Sequence, residues 1–229
     1  MAMPTRKWIV VIPAYGEATV VGRVVLDALT VSDAVIVVDD GSPDRTGDEA
    51  RAAGALVVRH AINRGLGGAL GTGIAAARFL GATAIVTMDA DGQHRGVDAR
   101  RVFERLDEGN VDFVIGSRMI GEARRGMPLH RVILNRLGNL LTLLLFGVRV
   151  TDSQSGLRGL TRRAADGLDL RTNGMEVSSE FINEIRTRKW RFAEITIPAI
   201  YTEYSLSKGQ SLGGGFRTAA KLIARRFLG

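Results

Sequence analysis

Short apolar runs, with a helix-length stretch between successive runs, constrain this chain more than any other feature. The runs are Trp8 to Pro13, Ala34 to Asp39, Leu56 to Arg59, Ala84 to Met88 and Phe113 to Ser117. Their length and Val/Ile content are those of buried strands. Val21, Val24, Val25 and Ala28 keep the spacing of one helix face, and Arg45 to Ala53 reads as another helix. Strands alternating with helices give a mostly parallel sheet covered on both faces, so the expected class is α/β with three layers. The second half is less regular. An apolar helix is expected near Leu129 to Phe146, a strand near Arg191 to Ile200, and a basic C-terminal helix with Phe216, Ala219, Ala220, Ile223 and Phe227 on one face. It reads as a continuation that completes one unit over residues 1–229.

In open sheets of this kind ligands bind beyond the carboxyl ends of the strands. Strand one delivers Pro13, Tyr15 and Glu17 there, strand two Asp39 and Asp40, the fourth Asp89, Asp91, Gln93 and His94, and the fifth Ser117 and Arg118. Asp89-Ala90-Asp91 is the sharpest of these motifs. Carboxylates are rarely buried unless paired or bound to metal, and two at one strand end can supply oxygen ligands to Mg²⁺ or Mn²⁺. The same triplet also suits a turn that caps the next helix. Asp39 and Asp40 fit either a nucleotide contact or a strand-to-turn boundary before Gly41-Ser42-Pro43-Asp44.

The glycine-rich stretch Asn63 to Gly73 includes Gly71-Thr72-Gly73-Ile74-Ala75-Ala76, which matches a dinucleotide fingerprint in letters. That fingerprint must follow a strand directly, and here the preceding run ends near Arg59. The glycines are therefore expected to let a helix pack closely or a backbone approach a ligand. Asp152-Ser153-Gln154-Ser155-Gly156-Leu157-Arg158 places an acid, polar groups and an arginine after the apolar helix, and it also suits a helix-ending turn. His60 and His130 have no partner pattern in the sequence.

Charge narrows the partners. The chain of 229 residues carries a net charge of +7, with five arginines and one acid from Arg118 to Arg136 and no acid after Glu203. Such asymmetry points to an anionic partner. There are no cysteines, which excludes disulfides and thiolate metal sites. No signal peptide is visible, and the longest apolar stretch, Leu140 to Val148, falls short of the roughly 20 residues that span a bilayer. The expected location is the cytoplasm or, peripherally, the cytoplasmic face of a membrane.

Taken together, the segments Val11 to Glu17, Val38 to Thr46, Met88 to His94, Gly116 to Arg118 and Thr151 to Arg158 resemble the family 2 glycosyltransferases with a GT-A fold. Within them the likeness is to the polyprenyl-phosphate branch, which includes dolichyl-phosphate mannose synthases. The resemblance implies a GT-A domain with a nucleotide-sugar half over about 1–118 and an acceptor half over about 119–229. Pro13, Tyr15, Glu17, Asp39 and Asp40 would hold the nucleotide of the donor. Asp89, Asp91 and Gln93 would form the Mg²⁺ or Mn²⁺ and diphosphate site, with Ala90 contributing backbone. Arg118 and Lys208 would meet the donor phosphates, and Arg131 and Ser155 the acceptor. Lys208 lies in Ser205 to Ser211, which departs from the Arg-x-x-Gly-x-Ser-Lys form of the mannose synthases.

The implied reaction moves a sugar, with inversion, from a nucleoside diphosphate such as GDP-mannose or a UDP-sugar to a polyprenyl or dolichyl phosphate. A hydroxyl acceptor would need a base, for which Asp152 is the candidate; a phosphate oxygen is already ionised. Two alternatives stay open. One is the same chemistry on a soluble sugar, glycan or phosphorylated small molecule. The other is a non-catalytic nucleotide- or nucleic-acid-binding module, against which stand an aromatic content of 6% and arginines not interleaved with stacking residues. No nucleic acid partner is expected.

Overall fold

The computed structural model describes residues 6–122 and 127–200. Seven strands, β1 (Trp8–Ala14), β2 (Ala34–Asp39), β3 (Leu56–Arg59), β4 (Ala84–Thr87), β5 (Phe113–Ser117), β6 (Arg158–Thr161) and β7 (Phe192–Thr196), form one sheet in the order β3-β2-β1-β4-β6-β5-β7. All neighbouring pairs are parallel except those of β6, which runs antiparallel to both β4 and β5.

The helices are α1 (Val21–Leu29), α2 (Thr46–Ala52), α3 (Gly65–Phe79), α4 (Gly96–Asp107), α5 (Leu129–Phe146), α6 (Arg162–Gly167) and α7 (Val177–Thr187). Alternate residues of the strands feed two cores. Val10, Ile12, Val35, Val37 and Val86 pack with α1, α2 and α4. Ile9, Val11, Ile36, Val38 and Ile85 pack with α3, α6 and α7 on the other face. A strand buried on both faces has no polar position to spare, which is why these strands read as unbroken apolar runs. The three layers expected from the sequence are present.

Three differences matter for the site. The Asp152 segment does not simply end a helix: it leads into β6, whose Arg-Gly-Leu-Thr sequence gives no apolar run. The glycine-rich stretch forms α3, and Gly73 lies so close to the sheet that a Cβ there would stand 2.4 Å from Val11 Cγ1. Finally, α5 passes the length and composition of a membrane span, with only 11% of it buried. Its inner side is nonetheless fastened to the domain, as described below. The expected C-terminal helix lies outside the described residues.

Because β6 is antiparallel, its first residue sits at the edge where the parallel strands end. Register pairs Thr87 of β4 and Ile115 of β5 with Arg158. The sheet thus brings the 152–157 loop beside the ends of β4 and β5.

Candidate active site

A cleft of about 270 Å³ opens at that edge, lined by Pro13, Tyr15, Glu17, Leu66, Asp89, Ala90, Asp91 and Met175. Six of these residues were expected at the donor site from the sequence. Leu66, on the first turn of α3, and Met175, just before α7, were not. The path to them was tertiary: the amide of Gly67 donates to Asn173 O at 2.9 Å, which holds the 172–175 segment against α3.

At the end of β4 the two acids face different surroundings. Asp89 looks into the cleft, its side chain 42% exposed, with His94 Nε2 at 3.3 Å. Partial desolvation by itself would raise its pKa. The His94 hydrogen bond and the charges of His94, Arg158 and Arg118 outweigh that and hold the carboxyl below its ordinary value. Asp91 shifts the other way, raised by burial and then by the charge of Asp89. Its oxygens accept from the backbone amide of Gln93 at 3.0 Å and from the Gln93 side-chain amide. His94 is buried, and its Nδ1 has no hydrogen-bond partner among the described residues.

Gly156 lies against this pair. A Cβ at that position would stand 2.1 Å from Asp89 Oδ2, so only glycine lets the 152–157 loop close on the carboxylate. Its carbonyl accepts from Thr87 Oγ1 at 2.8 Å.

On the β5 side, Arg118 and Asp152 form a two-pronged ion pair. Nε donates to Oδ2 at 2.8 Å and Nη2 to Oδ1 at 3.0 Å, while the Arg118 amide donates to Oδ2 at 3.1 Å. Asn135 Nδ2 of α5 adds a bond to Oδ1 at 3.1 Å. Asp152 is fully buried, which would raise its pKa, but the Arg118 charge and these hydrogen bonds leave it lowered. Both oxygens are engaged, so the carboxylate is a weak proton acceptor as it stands.

Arg158, which sequence reasoning gave no role, is a further cation at this floor. It is buried, stacks 4.9 Å from the Phe181 ring, and feels the charges of Asp89 and Asp152. Burial lowers its pKa to about 10, with the two acids opposing.

Other expected site residues bond within the protein, although Asp39 Oδ2 is buried without a hydrogen-bond partner among the described residues. Asp40 accepts from the amides of Arg64 at 2.9 Å and Gly65 at 2.7 Å, capping α3, and faces His60 Nδ1 at 2.6 Å. His60, for which the sequence suggested no partner, also reaches Thr72 Oγ1 at 2.9 Å. Asp39 is buried, accepts from the Ser42 amide at 2.9 Å and lies 3.4 Å from Arg59 Nε. Neither acid lines the cleft. Ser155 is buried and its hydroxyl accepts from the Leu157 amide at 3.3 Å, so it braces the loop. Arg131 stands half-buried on the first turn of α5. Lys208 lies outside the described residues.

The donor set fits a hard divalent cation. Two carboxylates on the cleft lining offer oxygen ligands, with the Gln93 amide bonded to Asp91 and Gly156 leaving space beside Asp89. Among the described residues no group of three or more His, Cys, Asp or Glu is placed to hold a metal. Mg²⁺ and Mn²⁺ can bind through one or two carboxylates, with their remaining ligands from water and substrate phosphates.

Residues 9–168 match the model of glycosyl transferase family 2. A UDP-N-acetylglucosamine–dolichyl-phosphate N-acetylglucosaminyltransferase of Methanococcus voltae is 34% identical over 93% of each chain. A polyprenol monophosphomannose synthase of Mycolicibacterium smegmatis is 32% identical over 96% of this chain and 87% of its own. Among solved structures, glucosyl-3-phosphoglycerate synthase of Mycobacterium tuberculosis, in complex with Mn²⁺, UDP and glucosyl-3-phosphoglycerate, superposes with a TM-score of 0.72. It covers 97% of this chain and 80% of its own at 21% identity, a likeness of fold.

Proposed function

The chain belongs to glycosyltransferase family 2 and has the GT-A fold, and from that premise we propose that it moves a sugar from a nucleoside diphosphate to a polyprenyl phosphate, with Mg²⁺ or Mn²⁺ bound. The observation that carries this reading is the meeting of Asp89 and Asp91 with Pro13, Tyr15 and Glu17 in one cleft. The names of the relatives support the acceptor class, since both are lipid phosphates. Such acceptors lie in membranes, so the chain works against a lipid surface.

Tyr15, half exposed at the cleft mouth, and Pro13 give the nucleoside an apolar wall, with Leu66 and Met175 opposite. Asp89 and Asp91 would hold the cation, which when bound neutralises charge on the departing diphosphate. Arg118, held by Asp152 just past the neighbouring strand β5, would lend positive charge to the phosphate oxygens. The acceptor oxygen attacks the anomeric carbon in line as the bond to the diphosphate breaks, which inverts the centre without a covalent enzyme intermediate. A phosphate oxygen needs no base, and the engaged, acidified carboxyl of Asp152 is consistent with that: it positions Arg118 rather than taking a proton.

The test is transfer of labelled sugar from GDP-mannose, UDP-N-acetylglucosamine and UDP-glucose to polyprenyl phosphate in vesicles. Asp91→Ala should lower transfer at least 100-fold, about the scale of losing one charge-stabilising group, while the melting temperature holds. Full activity in excess EDTA would remove the metal from the mechanism. Transfer to 3-phosphoglycerate with none to lipid would replace the acceptor by a soluble one.

A further inference from the structure

His94 is a poor choice for stability where it stands. Its side chain is 1% exposed, its Nε2 lies 3.3 Å from Asp89 Oδ2, and its Nδ1 has no hydrogen-bond partner among the described residues. Facing a carboxylate oxygen, Nε2 is assigned the proton and donates, which leaves Nδ1 a bare acceptor. A buried acceptor without a donor is destabilising. The bond at the other nitrogen offsets little of that, because Asp89 is 42% exposed and water would take the place of His94 there. An apolar side chain of similar size would pack better. Local choices that work against the fold concentrate at functional sites.

The backbone brings residue 94 under residue 89. Gly92, at φ +78°, turns the chain back after Asp91. Arg95 is extended, and the amide of Gly96, which opens α4, donates to Asp27 Oδ2 at 2.5 Å and so fixes where the turn ends. Asp89 is therefore met from two sides. His94 holds Oδ2, and the Gly156 backbone stands so near that a Cβ there would collide with both carboxylate oxygens. Oδ1 accepts no hydrogen bond among the described residues. Asp91, by contrast, is held within its own turn by Gln93. His94 is not itself placed as a ligand. It does not line the cleft, and among the described residues it completes no metal-holding group of three.

We propose that His94 is the positioning residue of the cation site: its Nε2–H pins Oδ2 of Asp89 against the Gly156 backbone and leaves Oδ1 as a fixed oxygen ligand for Mg²⁺ or Mn²⁺. The inference rests on the metal-dependent reading of the site and deepens it. A carboxylate free to rotate loses that freedom when it takes a cation; one already held does not, and binds more tightly for it. The same contact helps to hold Asp89 below its ordinary pKa, so the fixed ligand is also an ionised one. The effect falls on the cation and on the diphosphate bound with it, and the acceptor does not feel it.

The experiment measures the affinity of the full chain for GDP and for UDP by calorimetry, with and without saturating Mn²⁺. In the wild type Mn²⁺ should raise the affinity for at least one of them. His94→Met, which keeps the bulk and removes both nitrogens, should cut that gain about 10- to 100-fold, the range seen when the partner of a metal ligand is lost. Without ligands it should melt no lower than the wild type, because the buried acceptor is gone. His94→Gln should restore most of the gain, since its amide nitrogen reaches the place of Nε2. His94→Asn, whose amide nitrogen reaches the place of Nδ1 instead, should behave as His94→Met does, and it decides the question if His94→Met does not fold. In transfer assays the Mn²⁺ concentration for half-maximal rate should rise in His94→Met and His94→Asn, with KM for polyprenyl phosphate unchanged. An intact Mn²⁺ gain in His94→Met or His94→Asn overturns the role of His94 and leaves the metal in place. A gain lost equally in His94→Gln and His94→Asn overturns it too, since a donor at Nε2 would then count for nothing. A wild type whose affinity for both nucleotides ignores Mn²⁺ removes the metal reading itself, and this role with it.

Discussion

Asp152 shows how far a residue's surroundings, rather than its type, decide its chemistry. In sequence it is an acid beside polar residues, and a proton acceptor is a fair expectation. In the fold it has no exposure and is gripped by Arg118 and Asn135. Removing its charge strands Arg118, and removing one partner of a buried pair costs about 3 kcal/mol or more. Asp152→Asn should therefore lose about 3 kcal/mol at pH 7 in urea unfolding. The sign with pH follows from the lowered carboxyl pKa. The pair's stability is present above the unfolded value of 3.8 and is lost as pH falls through the lower folded value. The gap between wild type and variant should accordingly close on acidification; a gap unchanged at pH 3 would mean that packing, not charge, holds the loop. Transfer offers a second readout. If Asp152 acts only through Arg118, Asp152→Asn, Arg118→Ala and the double variant should lose similar factors, as residues working as one unit do.

Elements differed in legibility for a physical reason. The strands β1, β2, β4 and β5 are apolar on both faces, and nothing but a covered sheet can hide such runs, so the first half of the chain was readable. The second half was not. Arg158-Gly159-Leu160-Thr161 makes a strand because β4 and β5 leave a gap between them, and a buried arginine is the last residue that pattern reading would place there. Nor do α6 and α7 stand out, being short and built largely of polar and charged residues. The glycines of α3 were visible, yet their purpose depended on what lay beneath them. Gly73 faces Val11 and Val38, whereas Gly71 has nothing within 4 Å of where its Cβ would go. The same substitution should thus act in opposite directions. Gly71→Ala gains helix propensity and should stabilise by about 0.5–1 kcal/mol. Gly73→Ala overpacks the sheet and should destabilise by about 1–2 kcal/mol once propensity is credited. Two melting curves decide it, and equal shifts of one sign would refute the close packing of α3 on β1.

At the scale of the molecule, the site exists because one strand runs backwards. Six parallel-paired strands deliver Tyr15, Asp91 and Arg118 to one edge, and antiparallel β6 returns the chain to the same edge, laying Gly156 on Asp89 and Arg158 beneath it. Within this cluster the two acids differ: Asp91 is raised in pKa by burial and then by the charge of Asp89, while Asp89 is held low by His94, Arg158 and Arg118. On the proposed function, two carboxylates alone would hold a divalent cation weakly, and a nucleoside diphosphate would supply the remaining oxygens. Cation and nucleotide should therefore bind as a coupled pair, each raising the other's affinity by the same factor. In thermal unfolding, Mn²⁺ alone or UDP or GDP alone should shift the melting temperature little. Together, at about 100 times the coupled Kd, they should add about 2.7 kcal/mol, or roughly 5–10 °C for a chain of this size. Asp91→Asn should abolish the excess over the separate shifts, whereas Asp40→Asn, which uncaps α3, should lower the starting stability and leave the excess in place. Additive shifts in the wild type would show that metal and nucleotide do not share the Asp89–Asp91 edge.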